Sequence, residues 1–198
     1  GEMFEAALTA GICSAGGVAM RAGIVPTPAV AYLACKHKTH AGIVISASHN
    51  PFVDNGIKFF GGDGYKLPDV VEDALEKLVH GLLAHDEAAR PIGRQIGIVE
   101  YRDDLLNQYV DYVESTCRER LDGMRIVLDC ANGAAYEAMP RVLRRLGADL
   151  KVIHALPNGV NINDNCGSTH MESLRRTVLE TGADIGIAHD GDADRCLC

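Results

Sequence analysis

From residue 124 onward the chain alternates between short apolar runs and helical periods. Residues 124–130, 149–154 and 184–188 are apolar runs, and residues 135–146 and 171–181 carry helical spacing. Runs of that length, bounded by Gly, Asn and Asp, read as strands buried on both faces. Parallel strands cannot be joined by tight turns, so the intervening helices are crossovers, which are right-handed. The first half follows the same logic less regularly. Helices are expected at 2–15, 27–36 and 68–83, and strands at 18–25, 41–46, 56–60 and 65–67, the last two flanking the turn Gly61-Gly62-Asp63-Gly64. Thr27-Pro28 is a helix start, a capping hydroxyl followed by Pro at the first helical position. A helix at 103–119 leads into the second half. Residues 85–97, with Pro, Gly and charge but no period, form the expected boundary. The pattern predicts an α/β fold: two consecutive α/β domains, residues 1–97 and 98–198, with mixed, mainly parallel sheets flanked by helices.

Each of two expected strands delivers a polar loop at its carboxyl end, where open α/β sheets bind ligands. The run 184–188 ends in Asp190-Gly191-Asp192-Ala193-Asp194-Arg195. Three carboxylates brought together there repel one another unless a cation sits between them, and oxygen-only ligands suit a hard ion such as Mg²⁺. A calcium hand is excluded, because Arg195 stands where that loop needs Gly and a strand precedes it instead of a helix. A solvated acidic turn is the bland alternative. The strand 41–46 ends in Ser46-Ala47-Ser48-His49-Asn50-Pro51, with Asn-Pro marking a pinned turn. Ser48 there is either a nucleophile or phosphoryl carrier, or part of a turn capped by Ser and Asn side chains. Lys58, after Asp54-Asn55-Gly56, could offset phosphate charge or act as a base if its pKa were lowered; its alternative is a solvated surface lysine. Together a Ser, a Lys and three carboxylates at strand ends describe a cleft for phosphoryl transfer.

Composition narrows the partners. A net charge of −8 argues against nucleic acid and anionic membranes, and no apolar run approaches a membrane span. Seven cysteines without a CxxC pair argue against a disulfide framework or zinc cluster; reduced, mostly buried thiols and a cytoplasmic setting are expected. Both ends read as cut. Gly1 leads at once into a helical pattern, and Cys198 falls inside an apolar run.

The ordered motifs SASHNP, DNGIK and DGDADR resemble the α-D-phosphohexomutase superfamily. The longer wording (GIVISASHNPFVDNGIKFF, VLDCANGAAYEAMP, NGVNINDNCGSTH, GIAHDGDADRCL) is similar to its bacterial phosphoglucosamine mutase branch, over essentially the whole chain. The resemblance implies that Ser48 is the phosphoserine and that Asp190, Asp192 and Asp194, with a phosphate oxygen on Ser48, hold Mg²⁺. It implies that Arg195 closes the metal loop, that Lys58 is a general acid/base and that His49 assists proton transfer. The implied reaction passes the Ser48 phosphoryl group to glucosamine 6-phosphate, reorients a 1,6-bisphosphate, and returns the other phosphate to Ser48. A hexosamine phosphate is then the small-molecule partner, and a homodimer of the full-length protein is expected. The rivals are a phosphomannomutase/phosphoglucomutase, against which NINDNCGST argues, a non-catalytic metal- or sugar-phosphate-binding module, and a hydrolase using Ser48. Two departures stand out. Ala193 occupies a position where many members carry Gly, so a left-handed backbone there would be strained. The family's first strand and its third and fourth domains have no counterpart in these 198 residues, so the chain alone is expected to be inactive.

Overall fold

The computed structural model describes residues 1–84 and 90–198. Part of the expected boundary, residues 85–89, therefore lies outside the described residues. The second half is built from β5 (Arg125–Asp129), α5 (Ala135–Arg145), β6 (Asp149–Ile153), α6 (Glu172–Thr181), β7 (Ile185–His189) and β8 (Cys196–Leu197). These strands form one sheet in the order β6-β5-β7-β8, with β5 parallel to both its neighbours and β8 antiparallel to β7. Side chains alternate across β5 as a strand's period of two requires. Ile126 and Leu128 pack with Ala135 and Leu143 of the α5 region, whereas Val127 packs with Leu174 of α6 and Ala188 of β7. Helices on both faces keep the parallel sheet dry, and each fully buried aliphatic side chain contributes roughly 1.5–3 kcal/mol.

The first half carries α1 (Glu2–Ser14), β1 (Ala19–Arg21), α2 (Thr27–His37), β2 (Ala41–Ser46), β3 (Gly56–Gly61) and α3 (Asp69–Ala84). Between the halves come β4 (Val99–Tyr101) and α4 (Leu105–Thr116). Strand β2 pairs antiparallel with β3, and β1 pairs parallel with β4. Helix α4 joins the halves: Val25, Ala29, Tyr109, Val110, Ala138, Val142 and Leu146 form a single buried cluster drawn from both. This shared core sets the loop after β2 against the loop after β7.

Mixed, mainly parallel sheets flanked by helices are what the alternation predicted, with local differences. The strand expected at 18–25 is only three residues long, because Gly23 turns the chain at φ +73. The expected strand at 65–67 is reduced to one bridge between Phe60 and Lys66. Strand β4 was not anticipated; three residues are too few to show a period. The helix expected to reach 119 stops at Thr116, since Cys117 adopts an extended conformation. Thr27 is not the helix cap. Pro26 is, and the Thr27 hydroxyl is committed elsewhere.

The thiols also differ from expectation. All seven are free, but only Cys130 and Cys166 are buried, whereas Cys35, Cys117, Cys196 and Cys198 are exposed. Cys35 of α2 and Cys196 of β8 face outward and Cys117 and Cys198 lie just past element ends, placements that residue type cannot reveal. Burial pushes both inner thiols up to about 12, helped by the nearby Asp129 carboxylate, so these two stay protonated and inert.

Candidate active site

Strand β2 ends at Ser46, whose hydroxyl oxygen accepts the Ser48 amide at 2.9 Å, and Asn50 closes the turn by donating to the Ala47 carbonyl at 3.0 Å. The capped-turn reading is therefore correct for Ser46. The same turn holds Ser48 in a left-handed conformation at φ +56, a form unfavourable for a residue with a Cβ. The Ser48 hydroxyl lies near Asp192 and helps to lower its carboxyl pKa. Strain and delivery thus coincide at one residue.

Strand β7 ends at His189 and supplies Asp190 and Asp192, both essentially inaccessible to solvent. Each buried carboxylate is half-satisfied. Asp190 Oδ1 accepts the Arg195 amide at 3.1 Å, while its Oδ2 is buried without a partner among the described residues. Asp192 Oδ2 accepts the Thr27 hydroxyl and the Lys58 ammonium, each at 2.7 Å, while its Oδ1 is buried and unpartnered. Asp194 is partly exposed, and ligand atoms of the three aspartates lie within 4.8 Å of one another. Burial, and then the charges of Asp192 and Asp194, push the Asp190 carboxyl up to about 6 against the stabilising Arg195 amide. Burial works to raise Asp192 too, but the Lys58 and Thr27 hydrogen bonds, the Lys58 charge and the nearby Ser48 hydroxyl outweigh it and hold Asp192 below its ordinary value. Buried carboxylate oxygens left unpaired are costly. A hard cation would satisfy both orphaned atoms, so this donor set fits one. A solvated acidic turn does not describe it.

Lys58 projects from β3 opposite Val44 of β2, and its ammonium also lies 3.5 Å from Asp194. Burial tends to lower its pKa, but the Asp192 and Asp194 interactions win and the net shift is upward. Lys58 is accordingly a standing cation and not a ready base. The ring of His49 has Nδ1 buried without a partner among the described residues. The guanidinium of Arg195 is half exposed and only 4.0 Å from Asp194. Its backbone is more engaged, since its amide binds Asp190 and its carbonyl accepts His189 Nδ1 at 3.0 Å.

The motifs thus converge on Asp192, joined by two residues that sequence reasoning missed. Thr27 binds Asp192 twice, through its hydroxyl and through its amide to the Asp192 carbonyl at 2.9 Å. Asn163 donates from Nδ2 to the carbonyls of Ser48 and Asn50. Thr27 looked like a cap because its true partner is 165 residues away. Ala193 does adopt the strained conformation expected of it, at φ +57, and its methyl is packed in the β5–α5 core. Strain and methyl burial are each about 1 kcal/mol and oppose each other, so Ala193→Gly should change stability by less than ~1 kcal/mol. Ala193→Val should lose more than ~2 kcal/mol, because a β-branched residue resists φ > 0. Equilibrium denaturation distinguishes the two, and equal losses would refute the account.

Comparison with known proteins agrees with this geometry. Residues 1–84 match the family model described as phosphoglucomutase/phosphomannomutase, alpha/beta/alpha domain I, and residues 101–198 match that of alpha/beta/alpha domain II. The chain is 54% identical over 197 residues to a phosphoglucosamine mutase of Desulforamulus reducens, covering 100% of this chain and 44% of that protein. It is 53% identical to the phosphoglucosamine mutase of Mycolicibacterium smegmatis, covering 43% of that protein. The chain therefore spans less than half the length of these curated relatives. A solved phosphoglucomutase/phosphomannomutase family protein from Burkholderia thailandensis superposes with a TM-score of 0.74 at 26% identity, over 96% of this chain and 42% of that one. Two family models matched in order, laid over a serine loop and an acidic loop that meet in space, place the chain in the phosphoglucomutase/phosphomannomutase family.

Proposed function

We propose that the full-length protein is a phosphoglucosamine mutase, interconverting glucosamine 6-phosphate and glucosamine 1-phosphate through a phosphoserine at Ser48 and a 1,6-bisphosphate. The observation that carries this reading is the strained Ser48 turn packed against Gly191 of the acidic loop, where Asp190 and Asp192 each bury an unpartnered carboxylate oxygen. The identity of about 54% to phosphoglucosamine mutases supports the amino-sugar assignment. A phosphoryl group on Ser48 adds a charge of about −1.5 to −2 beside three aspartates. Lys58 offsets part of it from 2.7 Å beyond Asp192. Asp190, Asp192 and Asp194 would hold Mg²⁺, which when bound supplies Lewis-acid polarisation of the phosphoryl oxygens.

The forward transfer breaks the Ser48 Oγ–phosphorus bond and forms a bond from phosphorus to the sugar O1. The Ser48 oxygen takes up a proton and the sugar hydroxyl gives one up. Lys58, kept protonated by Asp192, suits the donor side of that exchange, with His49 as the proposed neighbour in proton transfer and Arg195 as the residue closing the acidic loop. The remainder of the cleft, which reads the sugar, belongs to the parts of the relatives that this chain does not span.

Residues 1–97 and 98–198 are proposed as the first two domains, with β4 reaching back across that division to β1. No described helix is long and apolar enough to cross a membrane, and a cytoplasmic location is proposed on the character of the sugar-phosphate substrate. Self-association of the full-length protein is proposed as well; a monomer in sedimentation equilibrium would dismiss it.

Assay of the full-length protein on glucosamine, glucose and mannose 6-phosphates tests the function, and a strong preference for glucose or mannose would replace it with a phosphomannomutase/phosphoglucomutase. The metal assignment has its own test. At 100 times its dissociation constant, Mg²⁺ should stabilise the folded protein by about 2.7 kcal/mol, a rise in Tm of roughly 5–10 °C. Asp190→Asn should raise Tm in metal-free buffer by relieving charge repulsion, and should lose the Mg²⁺ response. A variant that responds like the parent would rule out Asp190 as a ligand.

A further inference from the structure

One cluster outside the acidic loop resembles a second metal centre. Asp129, His154 and Cys166 bring ligand atoms within 4.8 Å of one another. Its chemistry is different, because nothing in Asp129 is left over. Asp129 Oδ1 accepts the Ala131 amide at 2.9 Å, and Oδ2 accepts the Gly167 amide and lies against His154 Nδ1, each at 3.0 Å. Cys166, at about 12, keeps its proton. The cluster is a buttress. It anchors the ends of β5 and β6 and the segment around Cys166, where Ala131, Asn132, His154, Asn163 and Asn165 all adopt positive φ.

The buttress ends in Asn163, whose amide donates to the Ala131 carbonyl at 2.9 Å. From that mount its side chain crosses to the serine loop. Nδ2 gives one hydrogen to the Ser48 carbonyl at 2.8 Å and the other to the Asn50 carbonyl at 2.9 Å. The residue is 7% exposed, so water does not compete for these bonds. The amide orientation is unambiguous, since a flip would set Oδ1 against two carbonyl oxygens. Asn suits the position twice. It tolerates φ +59 better than other residues with a Cβ, and its –NH₂ is a short two-hydrogen donor.

We propose that Asn163 is a positioning residue, a clamp from the second half of the chain that fixes the Ser48 main chain, and through it Oγ, against the acidic loop. The proposal rests on the reading of Ser48 as phosphoryl carrier. In-line transfer tolerates little error in placement, and a displacement near 1 Å costs on the order of 100-fold in rate. A second half that moved freely against the first would spoil the geometry of a site divided between them. Thr27 and Lys58 tie the acidic loop to the first half, and the clamp ties the serine loop itself to the second.

The test uses full-length protein with Asn163→Gly and Asn163→Asp. Glycine accepts the left-handed backbone and removes both donors; aspartate tolerates the same backbone and turns two attractions into repulsions. Both variants should keep the Mg²⁺ response of the parent, with Tm lowered by a few degrees in Asn163→Gly, which leaves two carbonyls without a donor, and by more in Asn163→Asp. Their kcat on glucosamine 6-phosphate should fall roughly 10- to 100-fold with KM changed less than about threefold. Hydrogen exchange of the Ser48 and Asn50 amides should accelerate at least tenfold, with β5 and β7 unaffected. Unchanged kcat together with unchanged exchange would overturn the clamp. Exchange accelerating throughout the chain in Asn163→Gly, β5 and β7 included, would overturn it in favour of a merely structural role. If the parent protein shows no mutase activity, the function reading fails, and exchange at Ser48 and Asn50 still decides for or against the clamp.

Discussion

Ser48→Ala is expected to end phosphoryl transfer while leaving the fold almost untouched. The hydroxyl is not needed to satisfy Asp192, which keeps Thr27 and Lys58 as donors when Ser48 is truncated. Its loss should therefore cost no more than about 1 kcal/mol of stability. Alanine and serine resist the left-handed backbone to a similar degree, so the turn itself gains no new strain. Activity has no such reserve, because a covalent carrier has no substitute. A fall of roughly 10³- to 10⁶-fold in turnover is expected for the full-length protein, as for loss of other nucleophiles. Intact-mass measurement after incubation with the 1,6-bisphosphate checks the assignment directly. The parent should gain one phosphate and the variant none. Equal gain by both would move the carrier to another residue; gain by neither would leave the chain a binding module. Release of inorganic phosphate as fast as isomerisation would identify a hydrolase.

Gly191→Ala should be damaging for a reason invisible in the motif. A Cβ at Gly191 would lie 2.5 Å from the Ser48 carbonyl oxygen and 2.5 Å from Ile162 Cδ1. The same backbone is approached from the other side by Gly133, whose own Cβ would meet the Gly191 main chain. The Ile162 side chain can rotate away. The Ser48 carbonyl cannot move without breaking its bond to Asn163. Overpacking at a rigid contact of this kind costs roughly 3 kcal/mol, or about 6–12 °C in Tm for a chain of this size. Without the clash, replacing Gly by Ala would stabilise by about 0.4–1 kcal/mol through the unfolded state, so the sign of the change is diagnostic. Thermal or urea unfolding of the two proteins supplies it, and a stabilised variant would show that the three segments are not in contact. In the full-length protein the same change should lower kcat of the proposed mutase reaction, since the Ser48 carbonyl is displaced.

Legibility differed between the halves for physical reasons. Strands β5, β6 and β7 are five residues long and separated by amphipathic helices, so the pattern exposed them. Strands β1 and β4 are three residues each and pair Ala19 with Val99 across the intervening helices, which no window along the chain can register. Lys66 lies in an apolar-looking run yet makes only one bridge, because the chain has already turned at Gly64, with φ +80. The site was legible as a set of residue types. Ser48 and the three aspartates were recognisable because each follows a buried strand, and strand ends are where the polar loops of such sheets must lie.

Periodicity and turn chemistry are local, and they were sufficient to place Ser48 and Asp190-Gly191-Asp192-Ala193-Asp194 at the ends of two strands and to predict a cation between carboxylates. Which atoms meet there was decided only by the α2–α4–α5 core, which brings the two loops together. That packing leaves one oxygen free on each of Asp190 and Asp192, and makes Lys58 a cation and not a base. It turns Thr27 from a helix cap into an Asp192 ligand, and sets Asn163 across to Ser48. Hydrogen bonds and desolvation act over a few ångströms in space, and these partners lie more than 100 residues apart in the chain.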